Sequence, residues 1–216
     1  MRLRAALPVS RSRPGLGTVI QNPFNQALIA GASSNFRFGR MHQRVPPNER
    51  RDSMSELEQV LAGDSAHTPP ANILERLPHD AAHKKIPGAP HTIYEELWHI
   101  VYWQQVTLDW INGVETPIPE HASAGFPASS DIAEDWDQLL ERFFASLQEA
   151  VAATRDPTRL DISIRCPSRP GMPVRVMSIR DQLESLGAHD AYHFGRIVLL
   201  RQMLGSWPPP SGGFSW

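Results

Sequence analysis

The stretch from Ser178 to Leu204 restricts the fold more than any other part of the chain. Its apolar residues Ile179, Leu183, Leu186, Ile197, Leu200 and Leu204 recur at steps that belong to one stripe of a long helix. Such a stripe must be buried against other elements. Steps of three or four residues from the first half of the stripe to the second land on His189 and His193. Both imidazoles thus stand where a leucine is expected, with Asp190 and Arg196 on the polar flanks. Residues four apart on a helix lie about 5–6 Å from each other, close enough to share one ion. Ser178 and Asp181 supply a cap at the start, and Gly205 followed by Pro208, Pro209 and Pro210 ends the run.

Three more helical patterns precede it. The first is broken: Ser55 to Leu61, an interruption at Gly63-Asp64, then Pro70 to Leu77. Residues 78–90, with Pro78, Pro87, Gly88 and Pro90, read as a loop. Thr92 and Glu95 form a capping box that opens a helix running to Asn112. Its broad apolar face (Ile93, Leu97, Ile100, Val101, Leu108, Ile111) is joined by a second stripe of His99, Trp103, Val106 and Trp110, so burial on more than one side is expected. A proline-bearing loop, 114–130, leads to a third helix expected to start at Asp131 with Glu134 completing its box. Ile132, Trp136, Leu139, Leu140, Phe143, Phe144, Leu147 and Val151 carry its period. Ile162/Ile164 and Val174/Val176 alternate around Pro167–Gly171, the pattern of a short hairpin. Helices of this length joined by loops, without a larger sheet, define an all-α chain built as an antiparallel four-helix bundle.

Charge divides the chain. Residues 1–53 hold nine arginines, no lysine and only Glu49 and Asp52 as acids, a net +7, against −2 for all 216 residues; the remainder carries −9. The basic segment is rich in Pro, Gly, Ser and Asn, lacks a sustained period and reads as disordered. It suits a transit peptide, a basic arm, or an upstream extension of a frame that starts at Met54 or Met41; the last is the reading adopted here. The expected organisation is therefore 1–53 as an extension and 54–216 as the folded domain. The acidic body gives no support for a nucleic-acid-binding surface, and no run of about 18 apolar residues exists for a membrane span. Cys166 is the only cysteine, which excludes an intramolecular disulfide and a cysteine-rich zinc site. A cytoplasmic protein is expected.

His99, on a mostly apolar helix, is the leading third partner for His189 and His193. Each unsatisfied buried imidazole costs about 1–3 kcal/mol; one divalent cation would satisfy all three, and hydrogen bonds within the core would serve as the alternative. His67 precedes the second helical piece and has two readings, solvated or facing the site. His79, His83, His91 and His121 lie in loops and are expected to be solvated. Cys166 has no activating neighbour in a recognisable motif. Trp207, Phe214 and Trp216 suit packing at a bundle end or subunit contact. Neither a phosphate-binding glycine loop nor a Gly-x-Ser-x-Gly elbow is present.

The run from Thr92 through Glu95, Glu96 and His99 to Trp103, the later His189-Asp-Ala-Tyr-His193, and the ending Leu204 to Gly213 resemble the DinB-like superfamily over about residues 55–216. That resemblance implies an antiparallel four-helix bundle, often dimeric, holding one divalent metal on His99, His189 and His193. Relatives of this kind include thiol-dependent S-transferases, a maleylpyruvate isomerase and metal-dependent hydrolases. Some carry an acid about one turn after the first ligand, where this chain has Trp103, Gln104 and Gln105. Glu95 and Asp190 could orient ligands, but a helix cap and a solvated face are the roles expected of them. Imidazole ligands suit zinc, nickel and iron. The resemblance thus implies a metal-dependent thiol S-transferase acting on small electrophiles with a low-molecular-weight thiol. A metal-dependent hydrolase and a non-enzymatic, stress-linked metal-binding protein are the alternatives. Its partners would be a small-molecule substrate and a second copy of the chain, with neither nucleic acid nor membrane.

Overall fold

In the computed structural model, residues 54–63, 66–127 and 134–213 are described, all within one unit, Arg44–Trp216. Residues 1–53, and with them the reading of the basic segment, lie outside this set, as do Asp131, Ile132, Phe214 and Trp216. In chain order the elements are α1 (Glu56–Ala62), the single turns α2 (Pro70–Ile73) and α3 (His79–Ala82), and the long α4 (Ile93–Ile111). A 3-10 turn (Ala122–Gly125) precedes α5 (Trp136–Ala153) and the single turn α6 (Pro157–Leu160). Then come β1 (Ser163–Cys166), β2 (Arg175–Ser178) and α7 (Ile179–Met203). The fold is all-α with one small antiparallel hairpin, in which Ser163 pairs with Ser178 and Cys166 with Arg175.

Local chemistry sets the helix starts. Four capping boxes open the longer helices: Ser55 with Glu58, Thr92 with Glu95, Asp135 with Gln138, and Ser178 with Asp181. In each, the cap side chain accepts from the third helical amide while that residue's side chain accepts from the cap amide. The third box corrects the expected start of α5. Helix begins after Asp135, and Glu134 instead offers its backbone carbonyl to the Tyr94 hydroxyl at 2.9 Å. Residues 78–90 likewise are not loop throughout, because Pro78 leads into the turn α3.

Cross-contacts give the helix directions. Glu96 meets His193, Gln104 meets Asp190 and Thr107 meets Gln182, so α4 and α7 run antiparallel. Tyr94 meets Glu134, Gln104 meets Ser146 and Asn112 meets Glu149, so α4 and α5 run in the same direction. Two parallel neighbours need a connection that returns along the whole helix, about 27 Å for 18 residues; residues 112–127 are the described part of that crossover. The short α1 packs on α7 and α5. It comes close to α7 because Gly187 has no side chain: a Cβ there would lie 2.5 Å from Val60 Cγ1.

The apolar interior forms two clusters. One gathers Tyr94, Leu97, Ile100, Leu139, Phe143, Phe194 and Ile197. The other gathers Val106, Leu108, Trp110, Ala150, Ile164, Ile179, Leu183 and Leu186. Gln104 on α4 and Asp190 and His193 on α7, all buried and polar, fall between the two clusters, and the buried Glu96 and His99 of α4 face them. The stripe read from the sequence is therefore interrupted at its centre by a polar layer. Ile162, Val174 and Val176, which suggested the hairpin, are exposed, and Ile164 and Cys166 are its buried residues.

Arg201, buried in the last turns of α7, ties the C-terminal segment down. Its guanidinium donates to the Ile73 carbonyl at the end of α2 and to the Ser206 carbonyl, and it lies over Trp207 at 5.7 Å. Arg201→Met strands those buried acceptors. We expect it to lower unfolding free energy by about 3 kcal/mol, read from urea denaturation.

Candidate metal centre

Three imidazoles converge in the polar layer. His99 comes from the middle of α4, and His189 and His193 come from successive turns of α7. One ring nitrogen from each lies within 4.8 Å of the others. His99 and His193 are buried and His189 is half-buried, its edge open to solvent. The three histidines picked out by helical spacing are the three that the fold assembles.

What surrounds each ring decides which nitrogen faces inward. His99 Nδ1 lies 2.6 Å from the Gly125 carbonyl oxygen. His193 Nδ1 lies 2.7 Å from Glu96 Oε2, and His189 Nδ1 lies 3.2 Å from Asp190 Oδ1. A carbonyl or carboxylate can only accept, so each Nδ1 carries the hydrogen and donates it. In neutral rings the Nε2 atoms are then bare lone pairs. His99 Nε2 and His189 Nε2 stand 3.1 Å apart. Two facing lone pairs at that distance repel unless a proton or a cation lies between them. Two nitrogens on a tetrahedral zinc ion at about 2.1 Å would be separated by about 3.4 Å. Oxygen acceptors on the outer nitrogens are also what holds histidines at metal centres. The residues fit a divalent cation.

The supporting groups are themselves anchored. Glu96 is fully buried; its Oε1 forms an ion pair with Arg196 Nη2 at 2.8 Å, without a well-aligned hydrogen bond. Burying a carboxylate costs several kcal/mol unless it is paired, and here a guanidinium and an imidazole share it. Asp190 is also buried: Oδ1 takes His189, and Oδ2 accepts from Gln104 Nε2 at 3.0 Å. Gln104 Oε1 in turn accepts from the Ser146 hydroxyl, which links α7 to α5 through α4. Burial raises the Asp190 pKa, opposed by the hydrogen bonds from His189 and Gln104. Burial also pushes His99 down, to about 4, outweighing the opposing bond from Gly125. His99 therefore stays neutral, as a ligand must be.

The crossover between α4 and α5 supplies the last wall. Phe126 stacks on His99, with centroids 4.1 Å apart and planes 8° from parallel, and stacks on His91 at 3.7 Å. Gly125 lets the backbone come this close, since a Cβ there would meet His99 Cε1 at 3.2 Å.

Several expectations change here. Asp190 is buried beside His189 and does not sit on a solvated face; Arg196 is half-buried against Glu96. Glu95 keeps the capping role, paired with Lys85 at 2.9 Å, while its neighbour Glu96 holds the ligand. His67 is half-buried near Phe194 and outside the cluster, its Nδ1 2.9 Å from the Thr68 carbonyl. His83 and His91 are not free in solvent: His83 stacks on Tyr94 at 4.3 Å, and His91 on Phe126. Cys166 is buried, and burial raises its thiol pKa, against a nucleophilic role. Glu96 escaped the sequence reading because it falls on the buried side of α4, where an acid is read as a surface residue. Its place three residues before His99 was the available clue.

Residues 71–197, more than half of the chain, match the family model of the DinB superfamily. The match spans all three histidines, Glu96, Gly125 and Asp190. No curated protein matches the chain.

The His99 shift has a thermodynamic consequence. Its folded pKa, about 4, lies below the ordinary histidine value of 6.5, so the unfolded chain binds the extra proton first as pH falls. Its contribution is intact above pH 6.5 and lost progressively toward pH 4. In chelator, the melting temperature should fall across that window, and His99→Gln should flatten this part of the profile, as followed by circular dichroism.

Proposed function

The chain belongs to the DinB superfamily, and from that footing we propose that it is a metal-dependent enzyme of the thiol S-transferase type, acting on small electrophiles. His99, His189 and His193 would hold one divalent ion, with zinc, nickel and iron the candidates from the ligand set. The observation that carries the reading is the arrangement of the three rings: every Nδ1 is spent on an oxygen acceptor, which leaves the three Nε2 lone pairs free, with one ring nitrogen of each histidine within 4.8 Å of the others. Three protein ligands leave a position for an exogenous group.

When bound, the ion would supply Lewis acidity that lowers the pKa of a thiol or of water at the open position. The protein's own residues favour the thiol. Both carboxylates beside the site, Glu96 and Asp190, accept from ligand imidazoles, so neither is free to take a proton from water. The turn after His99 presents Trp103, and Gln104 is occupied by Asp190 and Ser146. Water attack generally needs a positioned base, whereas a thiol is acidic enough to ionise with less help. Phe126 covers one face of His99, and the half-buried His189 leaves the approach on its own side.

Protein purified without a histidine tag should contain close to one equivalent of divalent metal. His189→Ala or His193→Ala should abolish it, measured by elemental analysis. Glu96→Gln keeps the size but removes the charge behind His193; we expect about 10- to 100-fold weaker metal affinity in a chelator competition. Metal-free wild type whose melting is unchanged by chelation would overturn the assignment. With metal present, thiol consumption against a panel of electrophiles is the expected activity. Hydrolysis without thiol would point to the hydrolase, and inertness with strong destabilisation on chelation would point to a structural ion.

A further inference from the structure

Beside the histidine cluster a cleft of about 180 Å³ opens between α4, α7 and the hairpin. Trp103 and Trp110 form the α4 side, Gln182, Leu186 and His189 the α7 side, and Arg175 of β2 belongs to the same lining. Gln182 to His189 is seven helical residues, about 10 Å, so the cleft reaches from the hairpin end of α7 to the histidines. Trp103 lies edge-on to His189, with ring centroids 6.1 Å apart.

The lining is chemically uneven. Trp110 is fully buried, its indole N–H donating to the Thr116 carbonyl at 2.8 Å, so it backs the cleft floor while the half-buried Trp103 supplies the open ring surface. Gln182 donates to Thr107 and takes the Cys166 thiol. Arg175 is the one formally charged side chain of the lining. It is exposed, and among the described residues it has no carboxylate partner; the other hairpin arginine, Arg165, is paired with Glu115. An unpaired guanidinium near the indole surface of Trp103 complements an anion with a flat apolar body. A cavity of roughly 150 Å³ holds a benzene ring, so a single ring with a small substituent fits this cleft.

We propose that this cleft is the substrate subsite and that it selects small planar carboxylates. The carboxylate would lie on Arg175, the apolar body against Trp103, and the remaining end toward His189. The subsite deepens the transferase reading and rests on it for the orientation of that last end. The Arg175 contact itself does not need the ion.

Benzoate and benzyl alcohol, equal in ring and different in charge, test this. Each is titrated into the full-length protein, zinc-loaded or treated with EDTA, following tryptophan fluorescence and calorimetry. Benzoate should bind saturably in both forms and more tightly than benzyl alcohol. Arg175→Gln should weaken benzoate about tenfold or more while leaving benzyl alcohol unchanged; Arg175→Lys should restore part of the loss. An unchanged melting temperature separates these effects from misfolding. Equal benzoate affinity in wild type and Arg175→Gln overturns the proposal. So does binding that EDTA abolishes regardless of Arg175, which is a carboxylate on the metal. Absence of saturable binding overturns it as well. Failure of the metal reading appears separately, as no zinc uptake, and leaves the Arg175 dependence in EDTA standing.

Discussion

The hydrogen bond between Glu96 and His193 is the contact on which the centre of this molecule depends. A fully buried carboxylate is tolerated because two groups of α7, His193 and Arg196, face it from successive positions. The pairing fixes the register of α4 against α7, since a slip of either helix by one residue would leave a charge in an apolar layer. It also fixes the His193 tautomer. Asp190 does the same for His189 from within α7, and Gln104 and Ser146 extend that restraint to α5. The apolar clusters above and below supply the burial that strengthens these bonds, while the polar layer prevents the helices from sliding along a uniform greasy seam.

Topology has a chemical consequence. Because α4 and α5 run in the same direction, the chain must travel back along the helices between them. That return brings Gly125 and Phe126 to His99: the carbonyl orients the ring and the phenyl covers it. The crossover thus helps to build the site as well as connecting two helices. On the other side, the hairpin brings Arg175 beside a cleft that includes His189, so that the two long connections flank the imidazoles with different chemistry, apolar on one side and cationic on the other.

Much of this was legible in the residue order. The long helices, two of the four capping boxes (Thr92 with Glu95 and Ser178 with Asp181), the hairpin and the inward place of His189 and His193 follow from period, spacing and cap chemistry, which are local properties. The resemblance of the motifs to the DinB-like superfamily agrees with the match over residues 71–197. The box of α1, Ser55 with Glu58, went unread, and that of α5 was misplaced because Asp131 and Glu134 satisfy the same spacing rule as Asp135 and Gln138. Only the actual path of the backbone decides between two such pairs. Asp190 and Glu96 were missed or misjudged for a related reason: an acid within a helix is solvated by default, and its burial is visible only once a partner from another element stands against it.

By itself, the sequence determined that α7 has one buried stripe, that His189 and His193 lie on it, and that His99 shares the interior of another helix. Those are consequences of 3.6 residues per turn and need no neighbour. Tertiary structure alone decided which nitrogen of each ring faces the centre, because the tautomer depends on an acceptor 97 residues away for His193, 26 away for His99, and adjacent but buried for His189. It decided likewise that α4 and α5 are parallel, and that Arg175 stands beside the cleft with no carboxylate partner among the described residues. Helical period specifies which face of an element is buried; only packing specifies what that face meets.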